Sequence, residues 1–347
     1  MIYCARNAGE QKMTDSTAKD HAAETQKIAV VVPCYREKNH ILDVLSAIGP
    51  EVTWIFVVDD ACPDKTGDFV EAGTKDPRIR VLRNPVNLGV GGATLHGYRA
   101  ALEAGADIIV KLDGDGQMNP ALIPNLVLPI QRHEADYAKG NRLHRRDSAR
   151  GMPVIRLLGN VGLTLLSKLS SGYWDIMDPT NGFTAIHAAV ARELPMDDIA
   201  KDFFFESDML YRLSEQTAVV RDVSMRAHYG EETSHLVVHR IFWPFLKGHT
   251  RNTWRRLIDT YFVRDISMAS LELMLGALLL PAGALYGAFH WWRSIETGVP
   301  ATAGTVILSA MPIIVGVQLL LAFIGHDTRR QPVTPVHLND PLRFPKV

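Results

Sequence analysis

Cysteine is scarce in this sequence: Cys4, Cys34 and Cys62 are the only three in 347 residues. The set is odd and has no CxxC spacing, which argues against a disulfide framework and against a thiolate zinc site. A reduced, cytosolic soluble part is the simplest reading. Net charge is also nearly absent. Lys and Arg number 37 against 38 Asp and Glu, so no global basic field points to nucleic acid. The first 27 residues lack an apolar core of signal-peptide type. They read as a flexible tail, or in part as an extended start, because Met13 offers a second initiator. No internal repeat or low-complexity segment is present. The length suits a domain of about 200–230 residues plus an appendage.

Apolar residues are plentiful, at 47% of the total, enough for a sizeable core. Two C-terminal runs stand out. From Ile266 to Trp292 the only charged residue is Glu272, and from Ala301 to Ile324 there is none. Each is long enough to cross a hydrocarbon layer of about 30 Å at about 1.5 Å per residue. Pro281, Pro312 and the glycines within them are compatible with membrane helices. Two buried core helices are the alternative, but the flanks favour a membrane. Arg240, Lys247, Arg251, Arg255, Arg256 and Arg264 precede the first run, and Arg329, Arg330, Arg343 and Lys346 follow the second. The connector Arg293–Pro300 holds a single Arg. The positive-inside rule then places both flanks and both termini in the cytoplasm, with Trp291 and Trp292 at an interface.

Between Val238 and Phe262, Ile241, Phe242 and Phe245 alternate at helical spacing with Arg240, Lys247, Arg251 and Arg255. This is the pattern of a basic amphipathic helix lying on anionic lipid. A helix packed only on its own domain is the other reading. Pro244 and Gly248 are expected to break it into pieces. The predicted organisation is a tail over 1–27, a catalytic domain over 28–237, interfacial helices over 238–264, two spans within 265–325 (about 266–292 and 301–324), and a cytoplasmic tail over 326–347.

Ahead of these runs, strand and helix signals alternate. Ile28–Cys34, Trp54–Val58, Ile79–Leu82 and Asp107–Leu112 are short apolar runs bounded by turns, and helical patterns cover 41–48, 91–104, 120–133 and 154–169. Alternation of this kind predicts an α/β fold, a parallel sheet with helices on both faces. Polar residues gather just past strand ends: Tyr35 and Glu37, then Asp59 and Asp60, then Asp113 and Asp115. Open α/β sheets bind ligands beyond the carboxyl ends of their strands, so the three groups are expected to converge on one crevice.

The segment Asp113–Gln117, DGDGQ, carries the most chemistry. A nucleoside diphosphate leaves poorly while its charge is uncompensated, and Mg2+ or Mn2+ on its phosphate oxygens removes that obstacle. Such hard ions take carboxylate and carbonyl oxygens. Asp113 and Asp115 can share one ion if the turn is tight, Gly114 and Gly116 permit that turn, and Gln117 adds an amide oxygen. An ordinary Asp/Gly turn closing a strand is the competing explanation. An EF-hand is excluded, since no Glu follows at the required spacing. Asn87, Gly89, Gly91 and Gly92 form a glycine-rich loop before a helix, where phosphate binding and close helix–strand packing explain the glycines equally well.

In their order, VVPCYREKNHI, VVDDACPDKT, RNPVNLGVGGATLHGYRAA, KLDGDGQMNP, GNR and DPTNGF, followed by two apolar runs, resemble the glycosyltransferases of family 2 with the GT-A fold. Within that family the chain is most similar to polyprenyl-phosphate and dolichyl-phosphate sugar synthases. The resemblance covers about Ile28 to Ile324 and implies a Rossmann-like mixed sheet. It places Pro33, Tyr35, Glu37, Asp59 and Asp60 on the nucleotide, with Asn87 on the same side, and Asp113, Asp115 and Gln117 at the metal and diphosphate. Arg142, Arg156 and Asn160 match positions that hold the acceptor phosphate. Asp178, with Asn181, Gly182 and Phe183, matches a D-x-x-x-GF segment on the acceptor or sugar side. Asp115, Arg142 and Asp178 are thus the residues set closest to the chemistry. Glu206 falls where relatives acting on hydroxyl acceptors place a base. A phosphate acceptor, with a second pKa of about 6, is already largely ionised, so a structural or sugar-positioning role is expected for it here. The family's late R-x-x-G-[DE]-S-K pattern is incomplete: Arg226 and Gly230 match, but the lysine is missing and the loop to His235 is longer.

The reading that follows is an integral membrane enzyme with a cytoplasmic catalytic domain. It transfers a sugar from a nucleotide-sugar, of GDP-mannose or UDP-hexose type, to a polyprenyl or dolichyl phosphate. The displacement is single and inverting and uses Mg2+ or Mn2+. Membrane lipids and a second copy of the chain are further expected partners; nucleic acid is not. One rival is a family 2 transferase acting on a glycolipid or polysaccharide, although no QxxRW-type motif is present. Another is a nucleotidyltransferase of similar fold, which would need a basic glycine-rich N-terminal signature. An inactive membrane partner or lipid transporter is the third, and the intact acidic cluster speaks against it.

Overall fold

The computed structural model describes residues 26–142, 154–225 and 238–339, without the side chains of 154–158, 160, 238–241 and 339. Its centre is a sheet of β1 (Ile28–Cys34), β2 (Val52–Asp59), β3 (Ile79–Arg83), β4 (Ile108–Lys111), β5 (Tyr137–Asn141), β6 (Thr184–His187) and β7 (Val220–Ser224). The order is β3-β2-β1-β4-β6-β5-β7. β6 runs antiparallel to both β4 and β5, and the other pairs are parallel. The wholly parallel sheet expected from alternation alone is thus corrected to the mixed sheet implied by the resemblance, because β6 enters between β4 and β5 in the opposite sense.

Helices α1 (Ile41–Ser46), α2 (Thr66–Gly73), α3 (Gly89–Glu103), α4 (Ile123–Gln131), α5 (Val154–Ser171), α6 (Ala188–Arg192) and α7 (Phe205–Glu215) accompany the sheet. All seven residues of β1 are buried, as a strand covered on both faces requires. Its side chains alternate between two cores. Val31 packs with Leu95, Tyr98, Met209 and Leu213 on one face, while Val30 and Val32 pack with Ile41, Val44, Val70 and Val127 on the other. The chain runs outward through β2 and β3 and then returns to set β4 on the far side of β1. This reversal opens a crevice between the carboxyl ends of β1 and β4, the expected ligand position in such sheets.

Helix α8 (Val238–Ile258) is continuous through Pro244 and Gly248 and runs into a π-helical turn over Asp259–Arg264. The expected break does not occur, because tertiary packing outweighs the local cost of Pro and Gly. Gly248 lies against the Phe204 ring, where a Cβ would come within 2.7 Å. Asn252 Nδ2 donates to Asp208 Oδ1 at 2.8 Å, and His249 Nδ1 lies 2.8 Å from Ser170 Oγ. The opposite face leaves Trp243 and Trp254 70% and 67% exposed.

Helices α9 (Met268–Thr297) and α10 (Ala303–Asp327) are 30 and 25 residues long, each long and apolar enough to cross a membrane. They pack on each other through small residues: Gly283 lies against Ser309 O and Gly316 against the Leu280 backbone. Asp327 ties this hairpin to the rest of the chain. It accepts from Arg256 Nη1 at 2.8 Å, Tyr261 Oη at 2.6 Å and Trp174 Nε1 at 3.0 Å. The segment expected as a tail returns to the sheet domain as α11 (Val336–Asn339). There Val336 N donates to Asp136 Oδ2 at 2.9 Å, and His337 Nδ1 lies 2.7 Å from Asp136 Oδ1.

Candidate active site

The strand-end groups do meet at the crevice, in different states. Pro33 sits near the end of β1, where pairing with β4 has already stopped at Val31, so its missing N–H costs that ladder nothing. Tyr35 is exposed. Arg36 and Ala61, just past β1 and β2, both hold left-handed backbone with φ of 65° and 53°. Such strain persists only where the surroundings impose it. Arg36 N donates to Cys62 Sγ at 3.1 Å, which ties the two loops together. Cys34 and Cys62 are both buried free thiols.

Asp59 and Asp60 are buried and engaged by backbone amides and, for Asp60, the Asn84 side chain. Asp59 accepts from Cys62 N at 2.7 Å and Gly67 N at 2.6 Å. Asp60 accepts from Asn84 Nδ2 at 2.6 Å, Leu88 N at 2.9 Å and Gly89 N at 2.8 Å. The acids therefore brace the loops that follow β2 and β3. The same bonds answer the question of the glycine-rich loop. Gly89 N also donates to Asn87 Oδ1 at 3.0 Å, and Gly91 N and Gly92 N donate to Lys201 O. The amides that would cradle a phosphate are spent. A Cβ on Gly91 would reach 2.5 Å from Ala200 O, so close packing accounts for that glycine.

The Asp113–Gln117 turn packs directly against the loop that follows β1. A Cβ on Gly114 would stand 3.6 Å from Glu37 Cβ, and one on Gly116 would stand 3.5 Å from His40 Cβ. Gly116 has φ of 76°, the left-handed conformation the tight turn needs. Asp115 Oδ1 accepts from Gln117 N at 2.9 Å, and the Gln117 side chain is exposed. Two carboxylates and an amide oxygen on one tight turn make a hard, all-oxygen donor set. That set fits Mg2+ or Mn2+ with phosphate oxygens completing the shell.

Asp178 is buried and grips Arg142, just past β5. Arg142 Nε lies 2.9 Å and Nη2 3.2 Å from the two Asp178 oxygens, and Arg142 N donates to Oδ2 at 3.2 Å. This forked pairing fixes the plane of the guanidinium. Asp222 braces the same arm, accepting from Asn141 Nδ2 at 2.8 Å and Met177 N at 2.9 Å. Burial pushes the Asp222 carboxyl up to about 6, with Met177 N and Lys139 opposing it. The side chains of Arg156 and Asn160, both on α5, lie outside the described residues, as does the loop 226–235.

Two functional candidates escape sequence reasoning, Lys111 and Lys139. Lys111 is 1% exposed at its side chain, with Nζ 2.6 Å from Asp113 Oδ1 and 3.1 Å from Glu206 Oε1. Burial works against its charge, but Asp113 and Glu206 together outweigh it and hold its pKa above the ordinary lysine value. Lys139 Nζ donates to Asn181 O. Burial pulls its pKa down to about 8, with Glu206 and Asp178 opposing. Neither announces itself in sequence, because a single lysine in a short strand ordinarily sends its head group to solvent.

The model of the glycosyl transferase family 2 matches residues 29–194. Relatives include an undecaprenyl-phosphate mannosyltransferase of Micrococcus luteus, 30% identical over 190 residues that cover 54% of this chain and 77% of the relative. A UDP-N-acetylglucosamine–dolichyl-phosphate N-acetylglucosaminyltransferase of Methanococcus voltae is 26% identical over 238 residues, covering 63% and 94%. Among solved structures, the glucosyl-3-phosphoglycerate synthase of Mycobacterium tuberculosis with Mg2+ and UDP superposes with a TM-score of 0.50 at 23% identity, over 66% of this chain and 81% of that one. That structure shares the fold. With its mixed sheet, its acidic turn at the topological reversal and these relatives, the chain belongs to glycosyltransferase family 2 and is a glycosyltransferase of the GT-A fold.

Proposed function

We propose that the chain transfers a sugar from a nucleotide-sugar, of GDP-mannose or UDP-hexose type, to a polyprenyl or dolichyl phosphate at the cytoplasmic face of a membrane. The observation that carries this reading is the state of Glu206. The resemblance sets it where relatives acting on hydroxyl acceptors place a base, and here its carboxylate is paired with the buried Lys111 at 3.1 Å. An acceptor that brings its own charge needs no such base, and a phosphate is ionised near neutral pH. The names of the M. luteus and M. voltae relatives support the same acceptor class.

In this reading Asp113, Asp115 and Gln117 hold a divalent cation, which supplies charge neutralisation of the departing nucleoside diphosphate. Arg142, oriented by Asp178, holds the acceptor phosphate so that one of its oxygens faces the anomeric carbon. Arg156 and Asn160 assist from α5. Attack of that oxygen breaks the bond from the anomeric carbon to the diphosphate oxygen, and the sugar inverts at that carbon. The exposed Trp243 and Trp254 of α8 lie at the lipid surface, and α9 and α10 cross the bilayer, with the basic flanks on the cytoplasmic side. The test is a set of labelled nucleotide-sugars offered to membranes containing the protein with added polyprenyl phosphate, followed by lipid extraction. Labelled lipid with at least one donor is expected. Label appearing only in a glycolipid or polysaccharide would replace the acceptor.

A further inference from the structure

β6 begins with Thr184, which is the register partner of Lys111 on β4 and of Lys139 on β5. Opposed residues on neighbouring strands project from one face. The two lysines therefore flank Thr184 in a single row across three strands, and both are buried. A buried lysine is uncommon without a specific partner. Stability alone would be served as well by apolar side chains of similar volume. These two ammonium groups point to one short loop. Lys139 Nζ donates to Asn181 O, and Lys111 Nζ lies 3.4 Å from Gly182 O. With Asp113 Oδ1 and Glu206 Oε1, Lys111 meets three oxygens with its three donors.

The loop they hold has two working ends. Asp178 at its start grips Arg142. Gly182 near its end packs so tightly on Asp113 that a Cβ there would overlap Asp113 Oδ2 and Lys111 Nζ. We propose that Lys111 and Lys139 are positioning residues that lock the Asp178–Phe183 loop against the acidic turn, Lys111 fixing the carboxylate of Asp113 and Lys139 fixing the loop that carries Asp178 and hence Arg142. The two lysines thereby set the spacing between the departing diphosphate and the incoming acceptor. The inference rests on the reading of Asp113 as a metal ligand and of Arg142 as the acceptor clamp.

The test uses the full-length protein in detergent and titrates Mn2+ by electron paramagnetic resonance, alongside transfer kinetics with polyprenyl phosphate. The double variant K111M/E206Q removes one positive and one negative charge together, so a changed affinity reports the lost tether rather than altered net charge. It should bind Mn2+ about tenfold more weakly. Lys139→Met should leave Mn2+ affinity unchanged while raising the KM for polyprenyl phosphate about tenfold at constant donor KM. Wild-type Mn2+ affinity in K111M/E206Q, or an unchanged acceptor KM in Lys139→Met, overturns the proposal. A wild-type chain that binds no Mn2+ overturns the metal reading itself and the proposal with it.

Discussion

The chain has two acidic pairs, past the ends of β2 and β4, the strands that flank β1, and their surroundings differ. Asp59 and Asp60 are turned inward, and their oxygens collect five donors from Cys62, Gly67, Asn84, Leu88 and Gly89. Asp113 and Asp115 sit on a glycine-built turn, with Lys111 and the Gln117 amide as partners. A carboxylate saturated by backbone amides braces a loop. One that lies on an exposed turn beside a second carboxylate can bind a cation.

The sharpest way to break this comparison is Asp115→Asn. Removing a charged ligand should lower sugar transfer by roughly 10^3-fold while leaving the melting temperature unchanged; a variant with undiminished transfer would sink the metal assignment. Arg142→Ala should follow, with kcat/KM for the acceptor down about 100-fold, and Arg142→Lys should not restore it, because a lysine cannot reproduce the forked pairing with Asp178. If Arg142 holds the phosphate and not the lipid, as proposed, equal losses are expected with a truncated water-soluble acceptor phosphate.

Asp60→Ala tests the other pair. It strands Asn84 Nδ2 and Leu88 N and should cost about 2 kcal/mol in chemical denaturation, with Mn2+ affinity untouched. If stability stayed at wild type while donor KM rose, Asp60 would be a ligand and not a brace. The last test concerns pH. Burial holds His187 and His249 down to about 4. Between pH 6.5 and 4 the unfolded chain therefore binds more protons than the folded one, and stability falls as pH drops through that window. The loss is ~2 kcal/mol per histidine at pH 5. Denaturation at pH 7 and pH 5 measures it, and His249→Gln should remove one share of the slope; an unchanged slope would show that His249 is charged in the fold.

Much of the frame was legible. β1 is the predicted Ile28–Cys34, and the acidic and polar residues do stand past strand ends around one crevice. What stayed hidden depends on tertiary context. The four residues of β6 are too few to show a period, and their antiparallel insertion follows from neighbours distant in sequence. Pro244 reads as a helix breaker, yet packing carries α8 through it. The return of Val336 and His337 to Asp136 joins residues some two hundred positions apart. Among site residues, the acids were visible as types but not as roles. Lys111 and Lys139 were invisible because burial, which makes them informative, is not written in the sequence around them.

The most direct measurement combines the two halves of the account. Membranes carrying wild-type or Asp115→Asn protein are given a panel of labelled nucleotide-sugars with polyprenyl phosphate, and the lipid extract is counted. Labelled, phosphate-linked lipid from the wild type, lost in the variant, is expected. No labelled lipid with any donor, or equal label from both proteins, would contradict it.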